Sequence, residues 1–464
     1  SASPSPDACQ RTIFAEVVAL EQAIVLNRYG AFNPAGMLYA LRRDVVFSGH
    51  PTIADGTPVN DANLAEAPGH VKLRKDKRPR PLVLRANEGD CLEVRFHNLL
   101  MRSAPDELSG SPEQYQVPRP NWPATAPKRY DGRVPAHVED PPEVVYNTAK
   151  NPKSGRNLVR IDSVSNDRPW TRAASFHVNG LELAPIPLKD CPLSTAQRVW
   201  LCNTDGDNAG RNRAAIRADT SLSPAQQDAL ALQAGQVLPG QSALYRMHAF
   251  REGTYFAYST AASVGGEGDG GQLGAGLFGA VNVQPRLAKW YRSQVTHSDL
   301  QAAARTPAAG ARNPYGNLDY DGARYANGPQ QGVPILAMLD GNEIVHSDLN
   351  AIVVLTDDPQ DPDPAHQDTT GKDRPCGSYA YGNSCGKSFR EFTVVMHDEV
   401  KAVQAFAELE DPSNPLHAIK DGMGINYGVG GMGAMVVARN RRTGPAKDCP
   451  ECRAEEFFLS SWAN

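Results

Sequence analysis

The side chains of this chain that could hold a metal or start a reaction are few and scattered. Its eleven histidines include no His-x-His, no His-x-x-x-His and no His-Glu-x-x-His, so no local pair of imidazoles is ready for zinc or copper. His177, His248, His346 and His397 fall in strand-like stretches, where a hydrogen-bonded structural histidine is the plain reading. No cysteine adjoins a histidine; the nearest such pair is Cys91 and His97. Met423, Met432 and Met435 offer soft thioethers that could attract Cu(I), or could simply pack. Asp205-Gly-Asp-Asn-Ala-Gly210 begins like a calcium loop, but Ala209 and Ile216 stand where oxygen ligands are needed. The glycine-rich GEGDGGQLGAG lacks a following Lys-Ser/Thr and shows no helix start, so it reads as a crossing between strands and not a phosphate loop.

The eight cysteines are Cys9, Cys91, Cys191, Cys202, Cys376, Cys385, Cys449 and Cys452. An even number in close pairs predicts disulfides and an oxidising compartment. The expected pairs are Cys191 with Cys202, Cys376 with Cys385 and Cys9 with Cys91, although spacing alone does not determine connectivity. Cys449-Pro-Glu-Cys452 could be a redox pair or half a zinc site. A redox pair normally opens a helix, whose dipole lowers the thiol pKa. This one follows a loop-like segment, which favours a local disulfide. The opening Ser-Ala-Ser-Pro-Ser-Pro reads as a mature N-terminus, so secretion to the periplasm, cell surface or medium is expected.

At 464 residues, with 40 glycines and 37 prolines, the chain has room for two or three domains built from strands and turns. A formal net charge of -5 gives no reason to expect nucleic acid or an anionic membrane as partner. No run approaches the roughly 18 apolar residues of a membrane span. KLRKDKRPRP, residues 72–81, is a local basic run that reads as a solvated loop, or else as a docking patch for an acidic partner.

Four phrases carry the strand signal. ASFHVNGLEL, residues 174–183, puts Phe176 and Val178 on one face and Ser175, His177 and Asn179 on the other. ALYRMHAFREGTYFAYSTA, residues 243–261, alternates likewise, and GLFGAVNVQP, residues 276–285, ends a strand on proline. In PLVLRANEGDCLEVRFHNLL, residues 81–100, Leu92, Val94 and Phe96 oppose Glu93, Arg95 and His97. Residues 101–157 read as a long surface insertion, and Ser221–Gln233 as a short capped helix. Further on, Val333–Leu355 predicts strands around an Asp340-Gly341 turn, and Phe389–Val403 another strand. The acidic, proline-rich run between them has the composition of a disordered segment. Periodicity leaves Ile13–Leu26 open between helix and strand.

Together these phrases resemble the first cupredoxin domain of a multicopper oxidase, with its EGD turn, its EGTY strand and its closing GLFGA strand. NRYGAFNPAGMLYALRRDVV is similar to the N-terminal region of the large bacterial members associated with manganese oxidation, which makes Ile13–Leu26 a first strand. The resemblance implies tandem all-β, Greek-key cupredoxin-like sandwiches or barrels with long loops and a few short helices. Residues 1–285 would form one domain and 286–464 the start of an incomplete second, marked by REFTVVMHDE and GINYG. The family's His-x-His-Gly corresponds to His177, Val178, Asn179 and Gly180, and its second His-x-His to Tyr258, Ser259 and Thr260. His177 is therefore the one metal-ligand candidate, no residue is assigned a catalytic step, and this chain is expected to bind no copper firmly.

What the resemblance then implies is the N-terminal part of a secreted oxidase. That enzyme would oxidise a metal ion such as Mn(II), or a phenol, and reduce dioxygen to water at copper sites outside this chain. A second polypeptide or a C-terminal remainder would carry the copper and complete the second domain. The other reading is a non-catalytic cupredoxin-like scaffold or binding subunit of an extracellular assembly.

Overall fold

A computed structural model describes residues 9–22, 24–25, 31–33, 36–101, 173–186, 202–205, 213–214, 216–225, 227, 235–261, 271–305, 318–355, 388–397, 403–404 and 424–429. The run that periodicity leaves open is a strand, Thr12–Glu21 (β1), and Met37–Leu41 (β2) returns antiparallel along its C-terminal half. The EGD phrase joins Leu82–Asn87 (β3) to Cys91–Asn98 (β4). His177–Val178 (β5) and Glu182–Leu183 (β6) are short; Ser242–His248 (β7), Gly253–Tyr258 (β8) and Phe278–Gln284 (β9) are longer. Beyond residue 285 come Lys289–Arg292 (β10), Leu339–Asp340 (β11), Glu343–Ile344 (β12), Asn350–Val354 (β13) and Phe389–Phe392 (β14).

The first sheet runs β6-β7-β4-β1-β12-β11, with β2 also on β1, and the second runs β3-β9-β8-β5. Parallel pairing of β1 with β4 and of β9 with β3 sets strands distant in sequence side by side. Ile13, Val17, Leu92, Val94 and Phe96 of the first sheet share one buried cluster with Leu82, Leu84, Val178, Val281 and Val283 of the second. This is an all-β sandwich of two packed sheets, and the alternation in β4 points its apolar set inward as the period of two requires.

The recurring phrases have local physical causes. At the EGD turn Gly89 takes φ +88°, while Asp90 accepts the Asn87 backbone N–H at 2.9 Å and pairs with Arg11 at 2.6 Å. Asn98 ends β4 by donating to the Val237 carbonyl at 2.7 Å and accepting the Leu100 N–H at 3.0 Å. In GLFGA, Gly276 has φ +116°, and a Cβ on Gly279 would collide with the Leu82 carbonyl of the parallel neighbour. The predicted Asp340-Gly341 turn closes the β11–β12 hairpin, with Gly341 at φ +60°.

Among the described helices, Gly271–Ala275 (α1) and His297–Ala303 (α2) stand between strands. The first lies within the glycine-rich stretch, which the sequence reads as a crossing between strands with no helix start; residues 262–270 lie outside the described residues. The second is announced by Thr296 and Asp299, which form a reciprocal capping box. The basic run is not simply a solvated loop. Its first residues belong to a strand, Val71–Leu73, paired with Val45–Phe47, and Arg74 is buried between Asp44 and Asp76. Among the described residues no helix is long and apolar enough to cross a membrane.

The core crosses the boundary expected at residue 285. Trp290, Met338, Ile344 and Val353 lie in the same cluster as the sandwich, and β12 pairs in parallel with β1, Phe14 opposite Glu343. Arg85 on β3 ties the two parts together and is 1% exposed. It donates to the Asp348 carbonyl at 2.7 Å, the Leu349 carbonyl at 3.1 Å and Glu391 Oε1 at 2.8 Å. Glu391 also accepts from Asn282 at 2.8 Å and from Gln284. Removing one partner of a buried, hydrogen-bonded ion pair leaves the other charge uncompensated. Arg85→Met is therefore expected to lower the unfolding free energy by about 3–5 kcal/mol in chemical denaturation, with part of the loss recovered by adding Glu391→Gln.

Candidate functional site

The positions at which the resemblance places ligand motifs are adjacent in space. β5 pairs with β8 so that His177 lies opposite Tyr258 and Val178 opposite Ala257. The His177 and Tyr258 rings meet edge to face at 5.2 Å, and Tyr258 stacks on Phe256. His177 Nδ1 is 2.6 Å from Asp205 Oδ2, and the carboxylate is nearly buried. That bond takes up one ring nitrogen and fixes the imidazole's orientation, so His177 is a positioned histidine with an acidic partner. Asp205 is also the first residue of the calcium-like stretch; residues 206–210 lie outside the described residues.

Next to His177 the chain has built a hydrogen-bond network from hydroxyls and an amide. The Ser175 N–H donates to Ser259 Oγ at 3.1 Å, and Ser259 in turn donates to Gln272 Oε1. Gln272, supplied by α1 and 1% exposed, donates to the Ala173 carbonyl. The Thr260 N–H reaches Ser175 Oγ at 2.9 Å, and the two side-chain oxygens are 3.0 Å apart. Tyr39 on β2 donates its hydroxyl to the Ser175 carbonyl, and burial holds its phenol well above the ordinary value. Neutral hydroxyl and amide oxygens already satisfied by one another are poor copper donors, and Tyr258 offers a phenol where copper prefers an imidazole. One histidine beside this network does not fit a copper centre. Among the described residues no three of His, Cys, Asp and Glu gather as a metal site.

The remaining chemical candidates separate. Cys9 and Cys91 form a disulfide that ties the start of β1 to the start of β4, and Cys202 is also disulfide-bonded. Cys191, Cys376, Cys385, Cys449, Cys452, Met423, Met432 and Met435 lie outside the described residues. GINYG forms a tight hairpin in which Asn426 and Tyr427 take positive φ, and Tyr427 donates its hydroxyl to carbonyls of the GLFGA strand.

Two histidines that periodicity marks only as strand residues are held as neutral imidazoles. His97 bonds Ser242 Oγ through Nδ1 at 2.6 Å, while its Nε2 is sealed and unpartnered. Burial, followed by Arg42, pushes its pKa down to about 4 against the opposing pull of Asp61. His346 donates from Nε2 to the Pro334 carbonyl at 2.7 Å. Burial and Arg292 push its pKa down to about 3, with Asp348 opposing. Sequence pattern could not reveal this, because burial and the facing Arg42 and Arg292 come from other parts of the chain.

Two outcomes follow from these contacts. Ser259→Ala removes the acceptor of the buried Ser175 N–H and the hydroxyl that donates to Gln272 Oε1, and is expected to cost about 1–3 kcal/mol in denaturant titrations. Both depressed histidines are neutral in the folded protein and take up protons on unfolding below about pH 6.5. Stability should therefore fall as pH drops from about 6.5 toward 4, each histidine adding up to about 1.4 kcal/mol per pH unit. His97→Gln should flatten that slope in pH-dependent thermal denaturation.

No family model matches the chain, and no curated protein matches it. Among solved structures, a multi-copper oxidase from Pseudomonas thermotolerans is similar to 59% of this chain at 14% identity, with a TM-score of 0.20. The matched part is 30% of that oxidase's chain, so this chain spans about a third of its length. A score that low does not establish equivalent folds, and the all-β assignment rests on the strand pairing itself.

Proposed function

We propose that this chain is a copper-free, cupredoxin-like portion of a larger secreted multicopper oxidase, with the copper sites in a C-terminal remainder or a second polypeptide. The reaction of the whole is one-electron oxidation of a metal ion, Mn(II) among them, or of a phenol, with dioxygen reduced to water. Within it this chain performs no chemical step. It acts as a rigid sandwich against which the copper-bearing part is held.

The observation that carries this reading is the hydroxyl and amide network of Ser175, Ser259, Thr260 and Gln272 beside His177. The two motif positions are neighbours on paired strands, as a ligand site needs, yet their polar atoms are spent on one another. A sandwich that keeps the framework and fills the ligand positions with self-satisfied oxygens fits a structural duty.

The test is metal analysis of the purified 464-residue chain after incubation with copper and removal of the excess. Copper is expected well below one atom per chain, unchanged by His177→Ala, with no oxidation of Mn(II) or a phenolic dye. Restoring the proposed remainder should bring copper and oxidase activity together. Stoichiometric copper on the isolated chain, lost in His177→Ala, would overturn the proposal. A copper-replete assembly without oxidase activity would favour the non-catalytic scaffold.

A further inference from the structure

A cleft of about 930 Å³ opens between the sandwich and the strands beyond residue 285, in the size range of small-molecule sites. Its carboxylates are already committed. Asp44 pairs with Lys77 at 3.1 Å, and Asp76 pairs with Arg74. Asp348 pairs with Arg292 at 3.2 Å, and Asp299 accepts the Tyr325 hydroxyl at 2.8 Å. Three of the guanidinium groups lining the same cleft, those of Arg78, Arg80 and Arg390, make no hydrogen bond or ion pair among the described residues.

Arg80 is the most telling of the three. It is half-buried, and its Nε–H is sealed from solvent without an acceptor, a state that normally costs free energy unless a ligand or ion completes it. Burial lowers its pKa, Asp348 opposes this, and Arg78 and Arg292 lower it further. An added anion would relieve that crowding of positive charge. The guanidinium fork matches phosphate and carboxylate oxygens in pairs. Tyr320, Tyr325, Leu318 and Ile352 supply an apolar wall that inorganic phosphate could not use.

We infer that this cleft binds a small organic polyanion, its oxyanion groups held by Arg80 with Arg78 and Arg390 and its organic body lying against Tyr320 and Tyr325. The class is a phosphate ester or a polycarboxylate. The inference uses neither His177 nor copper and stands apart from the function proposed above.

Isothermal titration and thermal denaturation at low ionic strength test it, with phenyl phosphate, citrate and inorganic phosphate as probes. Sodium chloride at matched ionic strength is the control. Phenyl phosphate or citrate is expected to bind saturably and raise Tm, more strongly than inorganic phosphate; the better of the two identifies the phosphate or carboxylate class. Arg80→Gln should weaken binding at least about tenfold. Arg390→Gln, at an exposed position where folding is not at stake, should weaken it as well, whereas Lys75→Gln, outside the cleft, should not. No saturable binding by any probe beyond the chloride control would overturn the inference. So would equal affinity in the wild type and both arginine variants.

Discussion

The buried pairing of Arg85 with Glu391 is the constraint on which the arrangement of this protein turns. Arg85 sits on β3, the edge strand of the second sheet, and its partners all come from beyond residue 285. A guanidinium without water must have its donors matched, so the later strands can occupy only the position that presents the Asp348 and Leu349 carbonyls and the Glu391 carboxylate together. Apolar contacts would tolerate sliding, whereas a forked donor facing three acceptors does not. Trp290, Met338 and Ile344 then fall into the core of the sandwich, and the two halves of the described chain share one interior.

Within that frame, β5 and β8 pair side by side and bring polar side chains together. Metal ligation and hydrogen bonding solve the same problem there, since polar groups buried between strands need partners. Ser259 and Gln272 satisfy backbone and side-chain groups around Ser175, and His177 turns to Asp205.

Electrostatics elsewhere in the molecule follows the same logic of burial and partnership. His97 and His346 stay neutral because no carboxylate lies close enough to outweigh burial and the nearby arginines. In the cleft lined by Arg80, positive groups outnumber the acids left to meet them. Both situations arise where strands far apart in sequence bring like charges together, and in both the protein gains something that responds to solution conditions: proton uptake in one case, anion uptake in the other.

By itself the sequence determined the strand class, the turns and the direction of the alternating faces. Gly89, Gly276 and Gly279 stand where only glycine fits the backbone, and Leu92, Val94 and Phe96 share one face because a strand repeats every two residues. It also showed that no second histidine stands near His177 in the chain, since spacing is visible without a fold. Tertiary structure decided the rest. Pairing of β12 with β1 carried the core across residue 285, the helix holding Gln272 arose in a glycine-rich stretch, and the basic run was split between a buried ion-pair cluster and a cleft. Local periodicity reports which way a side chain points. Which charge, hydroxyl or carbonyl it meets there depends on strands hundreds of residues away.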